Sequence, residues 1–67
     1  MIRLELERRR RGLTLKELAE ELDVSESLLC KVERGYRTLT ESVGERAAFT
    51  FWGPERVERW KTLRKRV

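Results

Sequence analysis

Residues 14–35 read TLKELAEELDVSESLLCKVERG, two short amphipathic runs joined by Asp23-Val24-Ser25. Thr14 followed three residues later by Glu17 is a capping box, and Leu15, Leu18, Ala19 and Leu22 recur at helical spacing. This predicts a helix over 15–22 that stops at Asp23, a residue type that tolerates the left-handed conformation common just past a helix end. Ser25 then caps a second helix, whose Leu28, Leu29 and Val32 form one stripe, and Gly35 supplies the next stop. So short a joint makes the two helices cross steeply at a fixed angle. On a helical wheel Ser27, Cys30, Lys31 and Arg34 face outward, with Glu26 at the flank. A rigidly held helix with small, hydroxyl and long basic side chains outward suits a DNA major groove; a merely solvated face has the same pattern.

Length narrows the setting. A chain of 67 residues makes one domain, and at that size buries only about 60% of the surface its unfolded form exposes. Such a small core leans on good helix packing or on a second copy. Cys30 is the only cysteine and histidine is absent, so one chain can build neither a disulfide framework nor a Cys/His zinc cluster. No cofactor is implied. No apolar stretch approaches the length of a membrane helix, and the N-terminus lacks the apolar run of a signal peptide. The expected setting is soluble and cytoplasmic, with no membrane partner.

Net charge is +4, from 16 basic against 12 acidic side chains, and its distribution is uneven. Residues 1–35 balance at eight of each sign, whereas in 54–67 Arg56, Arg59, Lys61, Arg64, Lys65 and Arg66 outnumber Glu55 and Glu58 by four. This excess suits a polyanion, and also a merely soluble protein. Catalysis is not expected: a Cys30 nucleophile lacks a histidine base, no glycine-rich phosphate loop is present, and the carboxylates alternate with Lys and Arg as on solvated helix faces.

The stretch GLTLKELAEELDVSESLLCKVERG resembles the helix-turn-helix of the lambda-repressor-like, Cro/Xre family of DNA-binding proteins. The matching features are Gly12-Leu13-Thr14, Glu17-Leu18-Ala19, Leu22, Val24-Ser25, Ser27, the apolar Leu29, and Val32-Glu33-Arg34-Gly35. The likeness covers about residues 3–40, since Arg3-Leu4-Glu5-Leu6-Glu7-Arg8 resembles the family's first helix and Arg37 its basic loop. It implies that 25–34 is the recognition helix, that Glu26, Ser27 and Lys31 read bases, and that phosphates are gripped near Thr14, Arg34 and Arg37. It also implies a structural pair between Arg8 and Glu33, a partly buried bidentate bridge from helix 1 to the recognition helix; a solvated charge run over Arg8–Arg11 is the plainer reading.

Two positions depart from the family pattern. Leu15 stands where a phosphate-bridging glutamine is common, so one clamp is lost, although free N–H groups at the helix start still face an anion. Glu7 and Arg10 stand where apolar residues are favoured, which predicts a less securely packed first helix. Ile2 to Glu7 also alternates apolar and polar, the period of a strand, although no partner strand is evident.

Beyond residue 40 the resemblance fades. Thr40 or Thr38 caps a helix carrying Leu39, Val43, Ala47 and Phe51 at i+4 spacing, with Phe49 and Trp52 enlarging its apolar surface and Gly44 weakening it. Gly53-Pro54 breaks the chain and restarts it. A final basic amphipathic helix over 54–67 then carries Val57, Trp60, Leu63 and Val67 on one stripe. Its apolar face either completes the monomer core or, through Trp52, Trp60 and Leu63, forms a two-fold interface.

The expectation is an all-α, helix-turn-helix domain of four or five helices, with residues 1–53 as the DNA-binding unit and 54–67 as a packing or dimerising segment. It acts as a sequence-specific transcriptional regulator on double-stranded DNA, as a homodimer. The alternative is a protein-interaction module on the same scaffold, antitoxin-like or polymerase-binding, favoured by Leu15 and Glu26.

Overall fold

The computed structural model describes residues 1–67 as four α-helices followed by a 3₁₀ helix: α1 (Arg3–Arg10), α2 (Leu15–Leu22), α3 (Glu26–Glu33), α4 (Glu41–Trp52) and the 3₁₀ segment Pro54–Arg64. The first three helices end in the same device. At Gly12, Asp23 and Gly35 the backbone turns left-handed, with φ of +68°, +56° and +87°. The next amide bonds back five residues: Leu13 to the Arg8 carbonyl at 3.2 Å, Val24 to Ala19 at 3.0 Å and Tyr36 to Lys31 at 2.9 Å. Each is a Schellman closure, which satisfies the orphan carbonyls and reverses the chain within two residues. The starts are equally regular. The hydroxyls of Thr14, Ser25 and Thr40 accept from the amides of Glu17, Leu28 and Val43 at 3.0, 3.0 and 3.3 Å, so Thr40, not Thr38, caps α4.

Helix α1 begins at Arg3, and only Ile2 keeps the extended conformation that the 2–7 alternation suggests. Ile2 finds a partner at the far end of the chain, forming an antiparallel bridge with Arg66. Arg3 N–H donates to the Lys65 carbonyl at 2.7 Å, and Val67 N–H donates to the Met1 carbonyl at 3.0 Å.

Glu7 corrects the expectation of a loosely packed first helix. The residue is 4% exposed, one turn beyond the fully buried Leu4, and its carboxylate is held by Arg3 Nε at 3.1 Å and by Arg11 Nη1 at 2.6 Å, with Arg10 Nη1 at 3.7 Å. Arg11 also donates to the Phe51 carbonyl at 2.9 Å and lies over the Phe51 ring at 4.6 Å, which ties the end of α1 to the end of α4. A carboxylate occupies a core-facing position because arginines one turn away on either side neutralise it. Burial by itself pushes the Glu7 carboxyl up, but the hydrogen bonds from Arg11 and Arg3, with the charges behind them, outweigh that and hold it below its ordinary value.

The last segment is helical with a tighter period than expected. Val57, Trp60 and Leu63 are three apart, and a 3₁₀ helix, with three residues per turn, stacks such positions along one line. Arg56 interrupts it at φ −124°. Val67, expected on the same stripe, is beyond the helix and exposed. The 3₁₀ helix packs mainly on α4 and also touches α1. Trp60 fits there because α4 has no side chain at Gly44: a Cβ on Gly44 would overlap the six-membered ring of the indole.

Trp60 at 6% exposure and Leu63 at 0% therefore belong to the chain's own core, together with Leu4, Leu18, Leu29 and Ala47. Both are covered within one chain, and of the three residues expected at a two-fold interface only Trp52 stays half-buried. The accessible surface agrees. A compact monomer of 8.1 kDa exposes about 4,500 Å², and this chain exposes 4486 Å². The core closes without a second copy. No helix is long and apolar enough to cross a membrane.

Candidate nucleic-acid interface

Helix α3 is rooted by Leu29 and Val32, both buried, and by Glu33 on the inner side. Arg8 Nε donates to Glu33 Oε2 at 2.8 Å and Arg8 Nη2 to Glu33 Oε1 at 3.0 Å, a bidentate bridge, while Arg8 Nη1 donates to the Leu13 carbonyl at 2.9 Å. One guanidinium thus joins α1, the α1–α2 turn and α3. The hydrogen bond to Glu33 raises the Arg8 guanidinium above its ordinary value, against the opposing pull of burial. Because α3 is fixed at both ends and from beneath, its outer face is presented in one orientation.

That face carries Glu26, Ser27 and Lys31, all exposed, with Arg34 at the C-cap. Cys30 is half-buried, not outward, and reads as a small filler at the edge of the face. Lys31 lies one turn beyond Ser27, so the two side chains project from the same strip. Arg37 is exposed in the loop after Gly35, its amide donating to the Lys31 carbonyl at 3.3 Å. Charge pairing separates two populations of side chain. Glu5, Glu7, Glu33 and Arg8 are matched, whereas Lys31, Arg34 and Arg37 face no carboxylate. Matched charges hold the fold together, and among the unmatched cations Lys31, Arg34 and Arg37 lie on α3 and its exit loop.

Thr14 sits at the start of α2 with its own amide already bonded to Glu17 Oε1 at 2.8 Å. The first-turn amides of Leu15 and Lys16 are the donors left for an anion. The bonds from Thr14 hold the Glu17 carboxyl below its ordinary value, so this end of α2 carries a fixed negative charge. An anion approaching this end meets Glu17 as well as the exposed Lys16. The sequence reading passed over Tyr36. It is 76% exposed between Gly35 and Arg37, and an aromatic beside an arginine just past the end of α3 was the signal available for it.

A family model described as a helix-turn-helix domain matches residues 2–50, well over half of the chain. The chain belongs to this helix-turn-helix family, and the order α1, α2, short turn, α3 is that of the Cro/Xre-like, DNA-binding arrangement. No curated protein and no solved structure matches it. The family match ends within α4, and the 3₁₀ helix and the Arg66 side of the terminal bridge lie outside it.

Proposed function

We propose that this protein is a sequence-specific transcriptional regulator of the cytoplasm that binds duplex DNA, with α3 lying in the major groove. The observation that carries the proposal is the row of unmatched cations, Lys31, Arg34 and Arg37, on and just after an outward helix whose supporting charges are all paired. In this reading Lys31 and Ser27 face base edges, and Glu26 accepts from a cytosine amino group, the one base-edge role in the groove that suits a carboxylate. Arg34 and Arg37, with the first-turn amides of α2 at Thr14, grip phosphates and set the register. The domain binds as a homodimer. Because Trp60 and Leu63 are covered within the chain, the pairing surface falls to apolar area that remains outside, of which Phe49 at 56% exposure, with the half-buried Trp52 and Val57, lies on α4 and the 3₁₀ helix.

The second reading, a protein-interaction module, draws on the same Phe49, which opens onto a depression rimmed by Glu41 and Glu45. Selection of bound sites from random duplex DNA separates the two. Enriched palindromic sites support dimeric recognition. Absence of any enrichment overturns the DNA reading and leaves the interaction module, for which Phe49→Ala is then the informative variant.

A further inference from the structure

The terminal bridge places a side chain from the end of the chain beside the recognition helix. Residue 66 is held on both sides, by the Lys65 carbonyl that accepts from Arg3 N–H at 2.7 Å and by the Val67 amide that donates to the Met1 carbonyl at 3.0 Å. Its side chain reaches Gly35: a Cβ built on that glycine falls 3.7 Å from Arg66 Nη2. Arg64 is fixed just before it, its guanidinium over the Trp60 ring at 4.6 Å and its Nε donating to the Leu39 carbonyl at 2.8 Å. Arg64, Arg66 and Arg37 together line a surface depression of about 240 Å³, along with the Gly35 backbone and Thr38. No carboxylate lines it, and none of the three arginines has an ion-pair partner. Three arginines from two remote parts of the chain line one depression with no carboxylate among the lining residues, so their like charges repel. An anion seated among them removes that repulsion.

We infer that the C-terminal segment completes a phosphate-binding site at the exit of α3, in which Arg66 and Arg64 join Arg37 on the backbone of the same duplex that α3 reads. The inference rests on the duplex reading of α3 and extends it to residues beyond the family match. Arg66 grips without reading sequence, because it sits past the helix end, level with the loop and not with the strip of Ser27 and Lys31. Arg64 is a positioning residue as well as a contact, since its stack on Trp60 is part of the core. Arg66 is the clean probe: the bridge that holds it is made by backbone atoms, and its side chain is exposed.

The test is a binding titration of the full chain and of Arg66→Gln on a selected duplex and on a scrambled one, at several salt concentrations, with thermal melting as the check on folding. Arg66→Gln is expected to weaken both duplexes by a similar factor, roughly three- to tenfold near 0.1 M salt, with a log–log salt slope shallower by about 0.9, one phosphate contact. Unchanged affinity and slope for Arg66→Gln, with the parent binding normally, overturns this inference and leaves the α3 reading standing. A parent that binds neither duplex overturns both. A parallel titration with pyrophosphate alone identifies the source of the anion: saturable binding that Arg66→Gln abolishes, without any effect of that variant on duplex affinity, assigns the depression to a free phosphate ligand and overturns the duplex assignment.

Discussion

The six-membered ring of Trp60 occupies the space that any side chain at position 44 would need, so Gly44 and Trp60 form one fitted pair across α4 and the 3₁₀ helix. In isolation an alanine at this helix position is favoured over glycine by about 1 kcal/mol. Overpacking against a buried ring works the other way, by roughly 1–3 kcal/mol, and the ring has no free end to swing aside. Gly44→Ala should therefore lower the melting temperature despite its better helix propensity. A variant that melts at or above the parent would show that the indole is loosely seated.

The Arg8–Glu33 bridge predicts a loss out of proportion to one surface charge. Glu33→Ala leaves the Arg8 guanidinium largely enclosed without its bidentate partner, at a cost of about 2–4 kcal/mol, at or below that of breaking a fully buried pair. Glu58, exposed and unpaired, serves as the control and should cost under about 0.5 kcal/mol. Urea denaturation of both variants decides the matter, and equal midpoints would mean that the bridge contributes nothing.

Glu7 predicts the acid limb of stability. Its folded-state value lies below the ordinary 4.5, so the folded protein binds fewer protons there than the unfolded chain does. The resulting stabilisation is fully present above the ordinary range and is lost as the pH falls through the folded value. Glu7→Gln should destabilise by roughly 1–3 kcal/mol at pH 6, and the gap from the parent should narrow steadily below about pH 4.5. Denaturation midpoints for the two proteins from pH 6 to pH 2 check this; a gap that does not change with pH would place the effect in packing and not in charge.

Lys31 and Arg37 should fail differently. Arg37→Ala is expected to weaken binding to every duplex and to make the salt slope shallower by about one contact, because a phosphate grip releases a counterion without reading sequence. Lys31→Ala is expected to lose roughly 1–3 kcal/mol on the selected site and little on unrelated DNA. Titrations on both duplexes at several salt concentrations read the difference. Equal losses on both for Lys31→Ala would move that lysine to the phosphate group.

The centre of the fold was legible because its signals are local. Thr14 with Glu17, Ser25, Asp23 and Gly35 each fix a helix end within a few residues, and the leucines between them mark the buried side. The bidentate bridge came from the family likeness, not from spacing. Glu7 was misjudged because a carboxylate reads as a surface residue until its partners are counted, although Arg3, Arg10 and Arg11 stand three or four positions away on its own face. The core role of Trp60 and Leu63 was one of two readings their stripe allowed, and the sequence could not choose between them for a different reason. It depends on a missing side chain at Gly44, and a glycine announces flexibility but not the ring that fills its place. The three-residue spacing of Val57, Trp60 and Leu63 did carry the 3₁₀ period, yet over so short a run it passes for an ordinary helical stripe.

The pairing of Ile2 with Arg66 also sets the order in which the domain becomes whole. A contact between residues more than sixty apart closes residues 2–66 into one ring, at a loop entropy of about 3–4 kcal/mol. Local helices meet no such toll, so α2 and α3 can form while the chain is still being made. The acceptor for the Arg3 amide, the Lys65 carbonyl, does not exist until residue 65 has been added. On the ribosome, then, the amide at the start of the first helix lacks its acceptor until residue 65 has been made, and the Ile2 edge stays unpaired until synthesis has passed residue 66. Stalling just short of that point should leave a protein whose central helices are protected from hydrogen exchange while its beginning is not.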